Sequence, residues 1–248
     1  MGASITDFAW FGAGLLVLTG ISLVLQRARG LRLGWQPLVA IIRACVQLAV
    51  IAAVLSGVLS RPWTVALFLV LMFATASWTS AHRIADLHHG GRAAAAGVVT
   101  GASIAIILVF ALRLMDWEVR YLIAVAGILI GNSMTAVTLT GRNFSRLVID
   151  RRDQVEGWLA LGATPARAHR DIGAEAQSEA LIPNIDQTRA TGLVTLPGAF
   201  VGALMGGASP LTAAEFQLVV LAGVMLAMTL TGSVVTAIVG RSPFVPVG

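Results

Sequence analysis

The chain has 248 residues, 57% of them hydrophobic and only 12% charged, and its 17 basic side chains are all arginine. Soluble domains carry about a quarter charged residues, so this composition excludes an ordinary soluble globular protein. Without lysine there can be no Walker A loop and no Schiff-base nucleophile. Cys45, the only cysteine, rules out an intrachain disulfide or a thiolate zinc cluster and reads as a small buried hydrophobe.

Met1–Asp7 carries no basic residue and so lacks the positive segment of a cleaved signal peptide; the apolar run after it is expected to be a retained span. Seven runs are long enough to cross a bilayer: about Phe8–Leu25, Pro37–Leu59, Pro62–Ser80, Ala93–Leu112, Val119–Thr140, Gln187–Gly206 and Phe216–Val239. Thirteen arginines follow the odd-numbered runs, whereas Arg61, Arg113 and Arg120 lie on the other side. Cytoplasmic loops hold the excess of basic residues. The expected protein is therefore an all-α, multi-pass component of the cell membrane, surrounded by lipid, with its N-terminus outside and its C-terminus in the cytoplasm. Topology accounts for the net charge of +5 without nucleic acid as a partner.

In the second run Arg43 and Gln47 are four residues apart and share a helix face. A lipid-facing arginine near the bilayer centre costs at least about 2.5 kcal/mol, so the pair is expected to face a transport path, a gate or a structural partner. Between the third and fourth runs, His82, His88 and His89 are candidate metal contacts or merely solvated. The fifth run supplies Asn132, Ser133 and Thr135 as oxygen and nitrogen donors along a path, and Met205 in the sixth supplies a thioether. No carboxylate falls near the middle of any run, so no resident high-affinity iron site is visible.

The stretch from about Gly141 to Asp186 is too short for a domain with its own core, so residues 1–248 read as one membrane domain. Phe144, Leu147, Val148, Val155, Trp158 and Leu159 recur at helical spacing and carry the fifth span into the cytoplasm. Gly162 to Pro165 break that helix, with Thr164 as cap and Pro165 at the first position of a helix over about Pro165–Ile182. Pro183 is expected to stop it, and Asp186 to cap the sixth span. Pro197 should kink that span, next to Gly198 in a row with Gly202 and Gly206; Gly97 with Gly101 and Gly127 with Gly131 form similar pairs suited to close helix packing.

The segment Glu156-Gly-Trp-Leu-Ala-Leu161-Gly162-Ala163-Thr164-Pro165-Ala-Arg167 resembles the cytoplasmic EAA-type loop of ABC transporter permeases, although Ala174 and Glu175 stand where Leu and Pro are usual. Arg43-Ala-Cys-Val-Gln47-Leu, Gly131-Asn-Ser-Met-Thr135, Pro183-Asn-Ile-Asp186, Arg189 and Leu196-Pro197-Gly198 extend the likeness to the iron-export ABC permease family typified by FetB. This resemblance implies a permease without an ATPase site. It would work as a homodimer with a cytosolic ABC ATPase that binds ATP and magnesium, and would export a metal ion. Glu156, Leu161, Gly162, Ala163, Thr164, Pro165 and Arg167 would couple the two subunits as a cytoplasmic helix between the fifth and sixth of about seven spans. Rival readings are an ABC permease for an organic metabolite or lipid, an ion-coupled secondary transporter, and an intramembrane enzyme. The enzyme reading lacks HExxH, paired mid-span carboxylates and any Ser-Lys dyad.

Overall fold

The computed structural model describes residues 5–58 and 62–243, which are helical with no β-strand among them. Two units are distinguished, Met1–Arg61 and Pro62–Gly248. Among the described residues six helices are long and apolar enough to cross a membrane, over Trp10–Ala28, Gln36–Ala53, Trp63–Arg83, Gly90–Ala111, Val119–Asp150 and Pro210–Val239.

The first unit holds α1 (Ile5–Ala28) and α2 (Gln36–Val58). Leu31 N–H donates back to Gln26 O at 2.9 Å, and Gly30 at φ +69° takes the left-handed position that closes the end of α1. The Arg27 guanidinium lies 4.3 Å over the Trp35 ring, a cation–π contact worth about 0.5–1 kcal/mol at an exposed site. Cys45, expected to be buried, is exposed instead, because nothing within this unit covers α2.

The second unit holds α3 (Pro62–Arg83), α4 (Gly90–Ala111), α5 (Val119–Asp150), α6 (Arg152–Ala160), α7 (Pro165–Ala168), α8 (Arg170–Ala190), α9 (Gly198–Met205) and α10 (Pro210–Val239). At its centre is α5, packed against α3, α4, α8 and α10 through fully buried Val125, Leu129 and Val137. Antiparallel to α10, α4 approaches it through glycine. A Cβ on Gly101 would collide with Thr231 Oγ1 and Ala227 O, and one on Gly97 would sit 3.0 Å from Val235 Cγ2. Thr231 Oγ1 also donates to Gly97 O at 3.1 Å. The other glycine rows do not pack this way: a Cβ on Gly131, Gly198 or Gly202 would meet nothing within 4 Å.

Three contacts fix one end of this unit. Gly141 of α5 abuts Ile84 and Leu87 in the α3–α4 turn, Gly173 near the start of α8 abuts Thr236, and His169 abuts Gly240 after α10. Arg83, Arg92, Arg142, Arg146, Arg151, Arg152, Arg167, Arg170 and Arg241 belong to the elements meeting here; Arg113 and Arg120 flank the α4–α5 connection at the opposite end.

The sixth expected span departs from the sequence reading. Gln187–Gly206 is not one helix: α8 continues through Pro183 to Ala190, an irregular stretch follows with Gly192 at φ +91°, and α9 starts only at Gly198. A proline inside a helix removes one hydrogen bond, yet buried Ile172, Gly173, Ala176, Ala180 and Asn184 hold α8 against its neighbours on both sides of it. Pro183 is thus no stop, and Asp186 is no cap but lies inside α8. Pro197 does not kink a span; it precedes α9 in extended conformation. Buried Gln217 fastens α9 to α10 by accepting the Phe200 N–H at 3.2 Å. Replacing Gln217 with leucine leaves that N–H unpaired, a cost of about 1–3 kcal/mol, and is expected to lower the melting temperature of the purified protein; an unchanged melt would show that the bond contributes nothing.

Candidate functional site

The hairpin after α5 is built by local backbone rules. Arg151 leaves helical geometry with φ −115° and separates α5 from α6. Its guanidinium bonds Glu175 at 2.7 Å, and Arg146 bonds Glu179, so α8 braces the end of α5 and the break itself. The Glu175 hydrogen bond, and then its charge, raise the Arg151 pKa above the ordinary guanidinium value. At the end of α6, Ala163 N–H reaches Trp158 O at 3.0 Å while Gly162 takes φ +85°, the Schellman arrangement again. Thr164 sits at the N-cap position of α7 with Pro165 following, as expected, but its side chain makes no capping bond; its carbonyl receives Arg167 and Ala168 N–H instead.

Val155, Ala168 and His169 are buried and root the hairpin in the bundle. Its tip faces outward: Leu161 is 83% exposed, Trp158 is exposed, and Glu156 pairs with Arg152 at 2.6 Å on the surface. Leu161, Gly162, Ala163 and Thr164 therefore form one tight turn at the arginine-rich end, with Glu156 in α6 before it and Pro165 and Arg167 in α7 after it. Beside it, between the α3–α4 turn and the end of α5, lies an open groove of about 540 Å³ lined by Arg83, Asp86, Arg142, Ser145, Arg146 and Asp150 among others.

The expected path residues are dispersed. Arg43 and Gln47 lie on an exposed face of α2 in the first unit. Asn132 donates to Ile128 O and Thr135 to Gly131 O, whereas Ser133 between them points into the core with its Oγ unpartnered; three near-consecutive helical residues cannot share a face. Met205 of α9 is exposed. His88 and His89 rings are 4.0 Å apart, while His82 bonds back to Trp78 O. Among the described residues no three His, Cys, Asp or Glu side chains gather where a metal ion could be held.

Sequence reasoning missed α8 as a packed member of the bundle. Gln177 donates to Thr229 O at 2.9 Å and to Ser233 Oγ at 3.1 Å, so α8 runs antiparallel along α10 from the arginine-rich end. The signal was present in the small residues Gly173, Ala176 and Ala180, a spacing that brings helices together in membranes, but four charges between Arg170 and Glu179 hid it.

A bundle of long apolar helices with one basic end and a helix broken between α8 and α9 defines a multi-span membrane protein. The sequence pattern described as Uncharacterised protein family (UPF0014) matches residues 10–244, and the chain belongs to that family. It is 36% identical over 217 residues to UPF0014 membrane protein STAR2 of Oryza sativa subsp. japonica, covering 86% of this chain and 76% of that protein. Protein ALUMINUM SENSITIVE 3 of Arabidopsis thaliana is 32% identical over 212 residues, 84% of this chain and 77% of the relative. The Probable iron export permease protein FetB of Escherichia coli (strain K12) is 28% identical over 207 residues, 83% and 80%. No solved structure matches the chain.

Proposed function

We propose that this chain is the permease subunit of an ABC exporter that moves iron or another metal ion out of the cytoplasm, driven by a separate ATPase subunit that binds ATP and magnesium. The observation that carries the reading is the α6–α7 turn, closed by the Ala163–Trp158 hydrogen bond, which presents exposed Leu161 and Trp158 beyond the apolar length of α5. An exposed apolar tip on a well-braced hairpin suits insertion into a partner's groove. The Escherichia coli relative, named as a probable iron export permease, supports iron export as the transport task.

In this reading the arginine-rich end is cytoplasmic, α8 and α9 together make the seventh crossing, the N-terminus lies outside and the C-terminus inside. Two copies form the pathway, with the uncovered glycine faces of α5 and α9 facing the second copy. ATPase closure pushes the hairpin, and the Arg151 and Arg146 ion pairs pass the movement to α8.

The test is ATP-dependent movement of radiolabelled ferrous iron in proteoliposomes holding this chain and a candidate ABC ATPase subunit from the same organism. Movement that requires both subunits and ATP, and that other divalent metals compete with, is the expected result. A stable complex with active ATPase and no metal movement would overturn the cargo assignment and redirect it to organic substrates.

A further inference from the structure

The depth of α8 in the bundle can be read from both of its neighbours along α10. Gln177 bonds to Thr229 and Ser233, and after the break Phe200 of α9 bonds to Gln217. Asp186 and Arg189 lie between those two levels; helical rise puts Asp186 about 13 Å beyond Gln177. This falls inside the apolar stretch Phe216–Val239, on the Gln217 side of its midpoint, and close to the level at which Gly223 meets Leu129, midway along the apolar part of α5. Ala93–Leu112, Tyr121–Thr140 and Phe216–Val239 contain no charged residue.

At this level the Arg189 guanidinium pairs with Asp186 Oδ1 at 3.3 Å, and their side chains are 76% and 61% exposed, pointing away from the unit that carries them. Facing hydrocarbon near mid-depth, the Asp186 charge would cost about 2.5–3.5 kcal/mol on insertion scales, and Arg189, about 4.5 Å nearer the α9 end, somewhat less. Just beyond them Thr191 to Pro197 is irregular backbone with Leu193 and Val194 exposed. Non-helical backbone at membrane depth is tolerated only against protein or a water-filled cavity. Both features exclude lipid from this face of α8.

We propose that the Asp186–Arg189 pair lines the aqueous translocation path and that Asp186 is the mid-membrane contact for a divalent cation, with Arg189 as its counter-charge when no cation is bound. The inference rests on the reading of the chain as a metal exporter and adds a cargo contact to it. The C-terminal end of α8 favours positive charge within its last turn, and Asp186 lies immediately before that turn. A single carboxylate with a resident counter-charge binds a cation and also lets it go, as conduction requires. Cation binding at Asp186 frees Arg189, and re-pairing of the two releases the ion.

The test uses the full chain in liposomes without any ATPase, in a Cys45→Ser background so that only an introduced thiol reacts. Asp186→Cys and Arg189→Cys are each treated with a membrane-impermeant cationic methanethiosulfonate, with Ile107→Cys, exposed on an apolar face of α4, as the lipid-facing control. Modification at both path positions and not at Ile107→Cys is expected. Manganese ion is expected to slow modification of Arg189→Cys by about tenfold at near-saturation of the carboxylate, and to have no effect once Asp186→Asn is added. Absence of modification at both positions overturns the path; modification that manganese does not slow overturns the cation contact. Because ATP-driven transport is not needed for either readout, failure of the exporter reading would show separately, as absent iron movement with protection intact.

Discussion

A Leu161→Glu variant is expected to reach the membrane in wild-type amounts and to lose ATP-dependent transport. Leu161 is 83% exposed and touches little within its own chain, so its replacement costs the fold almost nothing. In a partner's groove it would be the central apolar anchor, and a buried charge there removes about 2 kcal/mol or more of binding, roughly thirtyfold in affinity. Copurification with the ATPase and transport in proteoliposomes read the two consequences. Gly162→Ala is a graded companion: φ +85° costs a side chain about 1–2 kcal/mol, which loosens the turn without placing a charge at the tip. Full transport by the Leu161→Glu protein would show that the turn does not dock.

Gly101→Leu is expected to cause the largest loss of stability. A side chain at this position drives into Ala227 O and the backbone N of Thr231, neither of which can rotate aside, so α4 and α10 must separate along the contact. Overpacking in cores costs about 1–3 kcal/mol and more where backbone is displaced. Gly131→Leu, with nothing within 4 Å of its Cβ position, is expected to leave the isolated chain's melting temperature unchanged. Comparing the two melts separates a glycine needed for close packing within the chain from one that is not; equal losses would overturn the α4–α10 contact as its cause.

Single-helix features were legible in the sequence where one physical rule dominated. Apolar length marked α1, α2, α3, α4, α5 and α10, and the Gly162–Pro165 breaker marked the hairpin and its turn. Where rules competed, sequence reasoning went astray. Pro183 signals a stop, but the buried residues that flank it, Ala180 before and Asn184 after, outweigh one lost hydrogen bond. Gln187–Gly206 looks like an apolar span because hydropathy is blind to Gly192 and Pro197 acting together as a break. The glycine pairs at Gly97 and Gly131 have the same spacing, and only the neighbours across the helix distinguish packing from open surface. Asp186 reads from the sequence as a helix cap and not as a residue inside α8, because a helix carrying Arg170, Asp171, Glu175 and Glu179 does not read as part of the bundle.

The hydrogen bond from Thr231 to Gly97 spans 134 positions of the chain. During synthesis α4 enters the bilayer with its glycine face bare and holds that state until the last long helix arrives. Helices that insert independently and associate afterwards leave such a face open to other membrane segments in the interval. A chain interrupted before α10 therefore leaves the Gly97–Gly101 surface of α4 without the helix that covers it.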